Sequence, residues 1–296
     1  MNENHSYLQY RILELVIQVE FPGGFVPGLY PRLKPLEEPE TPDYFIDFIY
    51  TDIAPVLPSQ PNWFKIFAGE MLFTPTLVYY RRSNRIIKIE KTLNRVAVYL
   101  PLQAQAYVPP EAVMDTALML LLQDQGYFPL HASGGRLKSN FLFPGKSGCG
   151  KSTLAYRLFQ CGGSFLADDH VFLRLEDHKI AAHSYIATAL LRRNLQDANP
   201  DKTIFDFQHH QPGSVVSFLI PDTLIFPQFQ PVEIPALQAI TAAQAVMLLI
   251  PLTLPPQDSA AFARLTALAE QGRCFILHLP QAEEKPEQTK QLLCSI

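Results

Sequence analysis

Asn140-Phe141-Leu142-Phe143-Pro144-Gly145-Lys146-Ser147-Gly148-Cys149-Gly150-Lys151-Ser152-Thr153-Leu154-Ala155-Tyr156-Arg157-Leu158-Phe159 decides how the rest of the chain is read. The apolar run from Asn140 to Pro144 predicts a short buried strand. Thr153 to Phe159 has helical spacing. Between them, Gly145 to Ser152 fits G-x-x-x-x-G-K-S/T, the pattern of a phosphate-binding loop (P-loop). Strand, glycine-rich turn and helix is the setting that this loop requires. A turn that only caps a helix has no need of the Lys-Ser pair.

The chemistry explains the residue types. A polyphosphate needs many donors and positive charge at close range. Gly145, Gly148 and Gly150 carry no Cβ, so the backbone can curl with φ > 0 and approach a ligand. The N–H groups from Ser147 to Thr153 can then point inward as an anion nest, and the helix beginning near Gly150 adds the positive end of its dipole. Lys151 is expected to reach the β- and γ-phosphates, Ser152 to offer a hydroxyl to Mg²⁺, and Thr153 to contact the α-phosphate. The expected ligand is ATP with Mg²⁺, held by residues Gly145 to Thr153. Cys149, inside the loop, reads as a passive small residue rather than a low-pKa thiol.

The chain has 296 residues, enough for one large domain or two smaller ones. Hydrophobic residues make up 48%, so a sizeable core is available. With 24 basic and 28 acidic side chains the net charge is −4, which argues against a general nucleic-acid binder. Cys149, Cys161, Cys274 and Cys294 show no C-x-x-C spacing and no disulfide framework, so a reducing, cytoplasmic setting is expected. Met1 to Phe21 lacks the basic-then-apolar order of a signal peptide. No apolar run reaches the ~18 residues of a membrane span: Ala117 to Leu122 is short, and Pro251 and Pro255 interrupt the run after Ala245.

Residues 1–108 read as a β-rich N-terminal domain able to dock a substrate. Tyr10 to Phe21 and Tyr44 to Thr51 have strand character, as does Leu77 to Ile89, with a hairpin turn at Arg81 to Arg85. Arg81, Arg82, Arg85, Lys88 and Lys91 form a basic cluster relieved by Glu90. It is either a solvated hairpin face or a docking site for an acidic peptide. Pro109-Pro110 marks the expected boundary, and 109–296 the second domain. Glu111 to Gln123 predicts a helix with Met114, Ala117, Leu118, Leu121 and Leu122 on its apolar face. Strands are expected at Leu130 to Gly135, Ser164 to Ala167, Val171 to Leu175, Val215 to Ile220, Thr223 to Phe226 and Cys274 to Leu279. Helices are expected at Ala242 to Leu249, Ser259 to Gln271 and Pro286 to Leu293. The alternation is loose, so the fold class is α/β with a mixed sheet rather than a purely parallel one.

Asp168-Asp169 ends an apolar strand shortly after the loop helix. Carboxylates at such an edge can face bound phosphates: one can hold Mg²⁺, the other can accept a hydroxyl proton. Asp is also common in turns and caps. His131 precedes the loop on its own strand, where a lone histidine is ordinarily a core or edge residue. His170 beside the acidic pair is ambiguous. His209-His210 has too few companions for a metal site.

His131, the loop Gly145 to Thr153 and Gly162-Gly163-Ser164-Phe165-Leu166-Ala167-Asp168-Asp169, in this order and with this spacing, resemble the catalytic domain of HPr kinase/phosphorylase. The resemblance covers about residues 109–296, is strongest over 130–175, and is nearest to the HPr-kinase-like proteins of ribosomal and lasso peptide modification clusters. It implies a fold related to the nucleotide domain of phosphoenolpyruvate carboxykinase and a serine kinase acting on a peptide or small protein. It also implies a homo-oligomer, the classical members being hexamers. On that basis Lys151 binds phosphates, Ser152 and Asp169 serve Mg²⁺, Asp168 is the base, and His131 lies near the transferred phosphoryl group. Two features depart from the pattern. The downstream Arg-Gly-Leu-Gly signature is replaced by Leu190-Leu191-Arg192-Arg193-Asn194-Leu195, and the first half does not look like the classical one. A P-loop ATPase or regulatory switch, and a nucleotide-binding protein that docks peptides without catalysis, are the competing functions.

Overall fold

The structure, a computed structural model, describes residues 6–21, 33–53, 55–57, 63–66, 69–102, 110–192, 202–254, 259–280 and 286–296. Contacts divide it into two units, Met1–Gly126 and Tyr127–Ile296. It is a mixed α/β protein with several sheets and, among the described residues, six α-helices.

Alternating β-branched and aromatic residues build the first unit as strands β1 (Ser6–Ile12), β2 (Leu15–Phe21), β3 (Tyr44–Tyr50), β4 (Phe64–Ile66), β5 (Gly69–Phe73), β6 (Leu77–Arg82), β7 (Arg85–Glu90) and β8 (Arg95–Leu100). They form one sheet in the order β1-β2-β3-β8-β7-β6-β5-β4. The pairs β2–β3 and β3–β8 are parallel and the others antiparallel. The single strand expected over Tyr10 to Phe21 is therefore a hairpin. Its turn at Leu13 has φ 56, a conformation that the side chain does not advertise, and strand-forming residues continue on both sides of it.

Helix α1 (Pro110–Asp124) packs on β7 and β8. Met114, Ala117, Leu118, Leu121 and Leu122 are all buried, as its apolar periodicity predicts. The helix thus falls within the first compact unit, although the boundary expected at Pro109-Pro110 precedes it; Pro109 lies outside the described residues.

The basic hairpin cluster is largely neutralised in place. Arg81 pairs with Glu70 at 2.5 Å and lies 4.4 Å over the Trp63 ring. Lys88 pairs with Glu90 at 2.9 Å, and Lys91 with Asp124 at 2.5 Å. Glu70 and Asp124 lie outside the cluster's own stretch of sequence, which is why Glu90 alone relieves it there.

The second unit contains β9 (Phe128–Leu130), β10 (Ala132–Arg136), β11 (Asn140–Pro144), α2 (Lys151–Gln160), β12 (Ser164–Ala167), β13 (Val171–Glu176), β14 (Lys179–His183), β15 (Thr188–Arg192), β16 (Lys202–Asp206), α3 (Phe207–His210), β17 (Phe218–Leu219), β18 (Thr223–Gln230), β19 (Ala236–Ile240), α4 (Ala242–Leu249), α5 (Ser259–Glu270), β20 (Arg273–Pro280) and α6 (Pro286–Ser295). Its main sheet runs β12-β10-β11-β18-β20-β19 and mixes parallel with antiparallel pairs. A four-stranded sheet, β17-β14-β13-β9, and the β15–β16 hairpin complete it. Val215 to Ile220 is not the continuous strand expected: Val215 makes one bridge to Phe165, and only Phe218–Leu219 is strand.

The period of two in the strands covers both faces of the main sheet. Phe141, Phe143, Phe165 and Ile225 point to the side holding Leu154, Leu158 and Leu293 of α2 and α6. Leu142, Leu166, Leu224 and Phe226 point to the other, with Val246 and Leu249 of α4 and Leu265 and Leu268 of α5. Each fully buried side chain of this size contributes about 1.5–3 kcal/mol of transfer free energy, so the sheet is anchored from both sides. No helix among the described residues is long and apolar enough to cross a membrane.

Gly135 shows how closely the strands approach. A Cβ there would lie 2.4 Å from the Ser164 carbonyl oxygen. Gly135→Ala is predicted to destabilise the protein by about 1–3 kcal/mol, because backbone rather than a flexible side chain must yield. A urea-denaturation midpoint equal to the wild type's would contradict this account of the β10–β12 contact.

Candidate functional site

Strand direction places the chemistry at one edge of the main sheet. Strand β10 runs antiparallel to both β11 and β12, so its start lies beside their ends. That edge gathers His131 just before β10, the loop after β11, and Asp168-Asp169 after β12. The His131 carbonyl accepts from the Gly145 N–H at 3.2 Å, which ties the histidine to the first residue of the loop.

Two of the three loop glycines turn with positive φ, and Gly145 does not. Gly148 and Gly150 have φ of 83° and 102°, a region that favours glycine. A Cβ on Gly145 would sit 2.5 Å from the Cys149 sulfur. Gly150 is the N-cap of α2, with no side-chain cap, and the helix begins at Lys151. Its first-turn N–H groups therefore face the loop, the arrangement in which a helix start favours an anion. Lys151 is 4% exposed, and its ammonium donates to the Lys146 carbonyl at 3.1 Å. Burial pushes the Cys149 thiol pKa up, against the lowering effect of the Lys151 charge and nearby backbone donors. This agrees with a passive residue. All four cysteines are free thiols.

The two aspartates occupy different environments. Asp168 is 3% exposed. Its Oδ1 accepts from the Ser152 hydroxyl at 2.5 Å and its Oδ2 from the Leu190 N–H at 3.0 Å. Asp169 has φ 74, and its carboxylate side chain keeps 50% exposure. Its Oδ1 lies 2.8 Å from His131 Nε2. Burial raises the Asp169 pKa, but the hydrogen bond from His131 and the charges of His170, His131 and Lys151 outweigh it. The carboxyl is held well below the usual range. His170, ambiguous in the sequence, lies beside His131 with ring centroids 5.9 Å apart.

Ser152 and Asp168 supply adjacent oxygens, with Asp169 next in the chain. Mg²⁺ commonly takes one or two carboxylates and completes its shell with phosphate oxygens and water, so this oxygen set fits it. The Leu190 N–H, which fixes Asp168, has no local signal. It comes from β15, twenty-odd positions away, as a backbone donor. Arg193 and the side chain of Arg192 lie outside the described residues. His209 and His210 sit in α3, where His210 packs edge-on against Phe205, and no cluster of three or more His, Cys, Asp or Glu side chains placed to hold a metal occurs among the described residues.

No family model matches the chain, and no curated protein does. Among solved structures it is similar to the Hpr(Ser) kinase/phosphatase from Coxiella burnetii, with 14% identity and a TM-score of 0.35, over 56% of this chain and 94% of that one.

The depressed Asp169 pKa has a signed consequence. A carboxylate below its unfolded value of about 3.9 stabilises the fold above that pH and loses the contribution as pH falls through the folded value. Partial exposure screens the effect. The thermal-midpoint advantage of wild type over Asp169→Asn should hold from pH 7 to about pH 5 and shrink progressively below that. A difference that stays constant across the titration would contradict the assigned charge environment.

Proposed function

We propose that the unit Tyr127–Ile296 is a Mg·ATP-dependent kinase that phosphorylates a serine or threonine hydroxyl on a peptide or small protein. The observation that carries this reading is the convergence, on one sheet edge, of the glycine loop with Lys151, the Ser152–Asp168 pair and the His131–Asp169 pair. A peptide acceptor is supported by the sequence resemblance to kinases of peptide modification.

Burial favours a division of labour between the aspartates that is the reverse of the one the resemblance implies. Asp168 is enclosed and already bonded to Ser152, the hydroxyl suited to a metal. We assign this pair to Mg²⁺, which when bound neutralises charge on the β- and γ-phosphates. Asp169 is half-exposed and oriented by His131, so an incoming hydroxyl can reach it. In this reading Asp169 accepts the hydroxyl proton as oxygen bonds to the γ-phosphorus and the bridge to the β-phosphate breaks, releasing ADP. Lys151 swings from the Lys146 carbonyl to the phosphates. Transfer of this kind relies on positioning and charge neutralisation, which these groups provide.

Transfer of label from γ-labelled ATP to a co-expressed neighbouring peptide is the test. Asp169→Asn should lower kcat by about 10²–10⁴-fold, the range for loss of a general base, with ATP affinity little changed. Asp168→Asn should instead raise the Mg²⁺ concentration needed for half-maximal rate. The opposite pattern would return the base to Asp168. Phosphate release that needs no peptide, with none labelled, would favour an ATPase. If both variants transferred label like wild type, the roles given to the two aspartates would fail; if wild type labelled no peptide, the kinase reading would fail.

A further inference from the structure

Helix α2 ends on Cys161, and the last turn of α6 carries Cys294. The two helices pack on each other, with Leu158 and Leu293 in one core cluster. That packing sets two cysteines from distant parts of the chain side by side. The Cys161 sulfur lies 4.0 Å from the Lys290 carbonyl oxygen, one helical turn before Cys294. Side chains of a helix lean toward its N-terminus, so the Cys294 thiol leans over that same turn. The two thiols are hydrogen-bonded to each other. Lys138, in the turn between β10 and β11, donates from Nζ to the Cys294 carbonyl at 3.1 Å and fixes the end of α6.

The other two cysteines have different surroundings. Cys274 is buried, and its thiol donates to the Ala269 carbonyl at 3.4 Å. Cys149 sits in the loop, its sulfur 2.5 Å from where a Cβ on Gly145 would lie. Cys161 and Cys294 are free thiols and both partly exposed, so a small solute can reach them. Burial and the bond to Cys294 push the Cys161 thiol up to about 11, so it holds its proton at neutral pH. Exchange with a disulfide needs a thiolate, which leaves Cys294 to attack first and Cys161 to resolve.

We propose that Cys161 and Cys294 are a thiol–disulfide exchange site whose co-reactant is a small soluble disulfide of the glutathione kind, and whose product is an intrachain disulfide fastening α6 to α2. The Cys294 thiolate attacks one sulfur of that disulfide. The solute S–S bond breaks, one thiol leaves, and a mixed disulfide remains on Cys294. Capping Cys294 removes the bond that helps to hold the Cys161 proton. Cys161 then gives up its proton, attacks the Cys294 sulfur and displaces the second thiol. The protein thiols lose two electrons and two protons, and the solute disulfide gains both as two thiols. The link joins α6 to the helix that carries Lys151 and Ser152, and it stands independently of the kinase reading.

Incubation of the full chain in glutathione buffers of rising oxidation tests this, with thiols alkylated after denaturation and the peptides mapped by mass spectrometry. Cys161 and Cys294 should lose alkylation together and appear in one linked peptide, while Cys149 and Cys274 do not join it. Cys161→Ser should stop with one glutathione on Cys294, and Cys294→Ser should take up glutathione at Cys161 at least about tenfold more slowly. Amide hydrogen exchange in α6 should slow several-fold once the link forms. Full alkylation of both cysteines in the most oxidising buffer, glutathione retained on both, or a link from either to Cys149 or Cys274 would overturn the site. These wild-type maps decide the matter even where a variant fails to fold. A link that leaves α6 exchange unchanged would overturn the fastening of α6.

Discussion

The bond between the Ser152 hydroxyl and Asp168 joins two parts of the chain that the rest of the site depends on. One end is the first turn of the helix after the loop, and the other is the last turn out of strand β12. A buried carboxylate is tolerated only when its lone pairs are filled, because desolvation otherwise costs several kcal/mol, on the order of the stability of a small domain. Ser152 fills one side and the Leu190 N–H the other. The consequence is positional: helix start, acidic pair and hairpin β15–β16 are held at one edge of the sheet. Asp169 follows in a left-handed conformation that turns its carboxylate away from Asp168 toward His131. Adjacent residues of one type thereby acquire different burial, partners and ionisation.

The sheet supplies the rigidity behind this edge. Its two faces are filled by different helices, with Phe141 and Phe143 on one side and Leu142 on the other. Strand β11, which feeds the loop, is therefore buried on both faces and hydrogen-bonded on both sides. A loop emerging from such a strand starts from a fixed point, so its glycines determine its path. Strands β18 and β20 share that edge and bring Phe229 and Leu279 against Gly150.

The parts legible in the sequence are those set by neighbours along the chain. The loop, the helix after it and the strand before it are read from twenty consecutive residues, and α1, α4 and α5 from their apolar periodicity. Other parts depend on residues far away. Strand β19 carries Ala236, Gln238 and Ala239 with little strand character, and exists because β20 offers it an edge. Tyr10 to Phe21 carries strand-forming residues on both sides of Leu13, where the chain turns although no glycine or asparagine marks the place. Thr223 to Phe226 extends to Gln230 through Pro227 because β20 pairs with it along its length. The candidate site follows the same rule. His131, Lys151, Ser152 and the aspartates are visible as motif residues. The exchange of partners between the aspartates, and the closeness of Phe229 to the loop, come from topology alone.

The central claim is that the loop and its two carboxylates enclose a triphosphate and its metal. A crystal structure with Mg²⁺ and a non-hydrolysable ATP analogue tests it most directly. The account predicts the β-phosphate within hydrogen-bonding reach of the N–H groups from Ser147 to Ser152, Lys151 moved onto the phosphates, and Mg²⁺ beside Ser152 and Asp168. Density for the phosphates elsewhere, with Lys151 still on the Lys146 carbonyl, would contradict it.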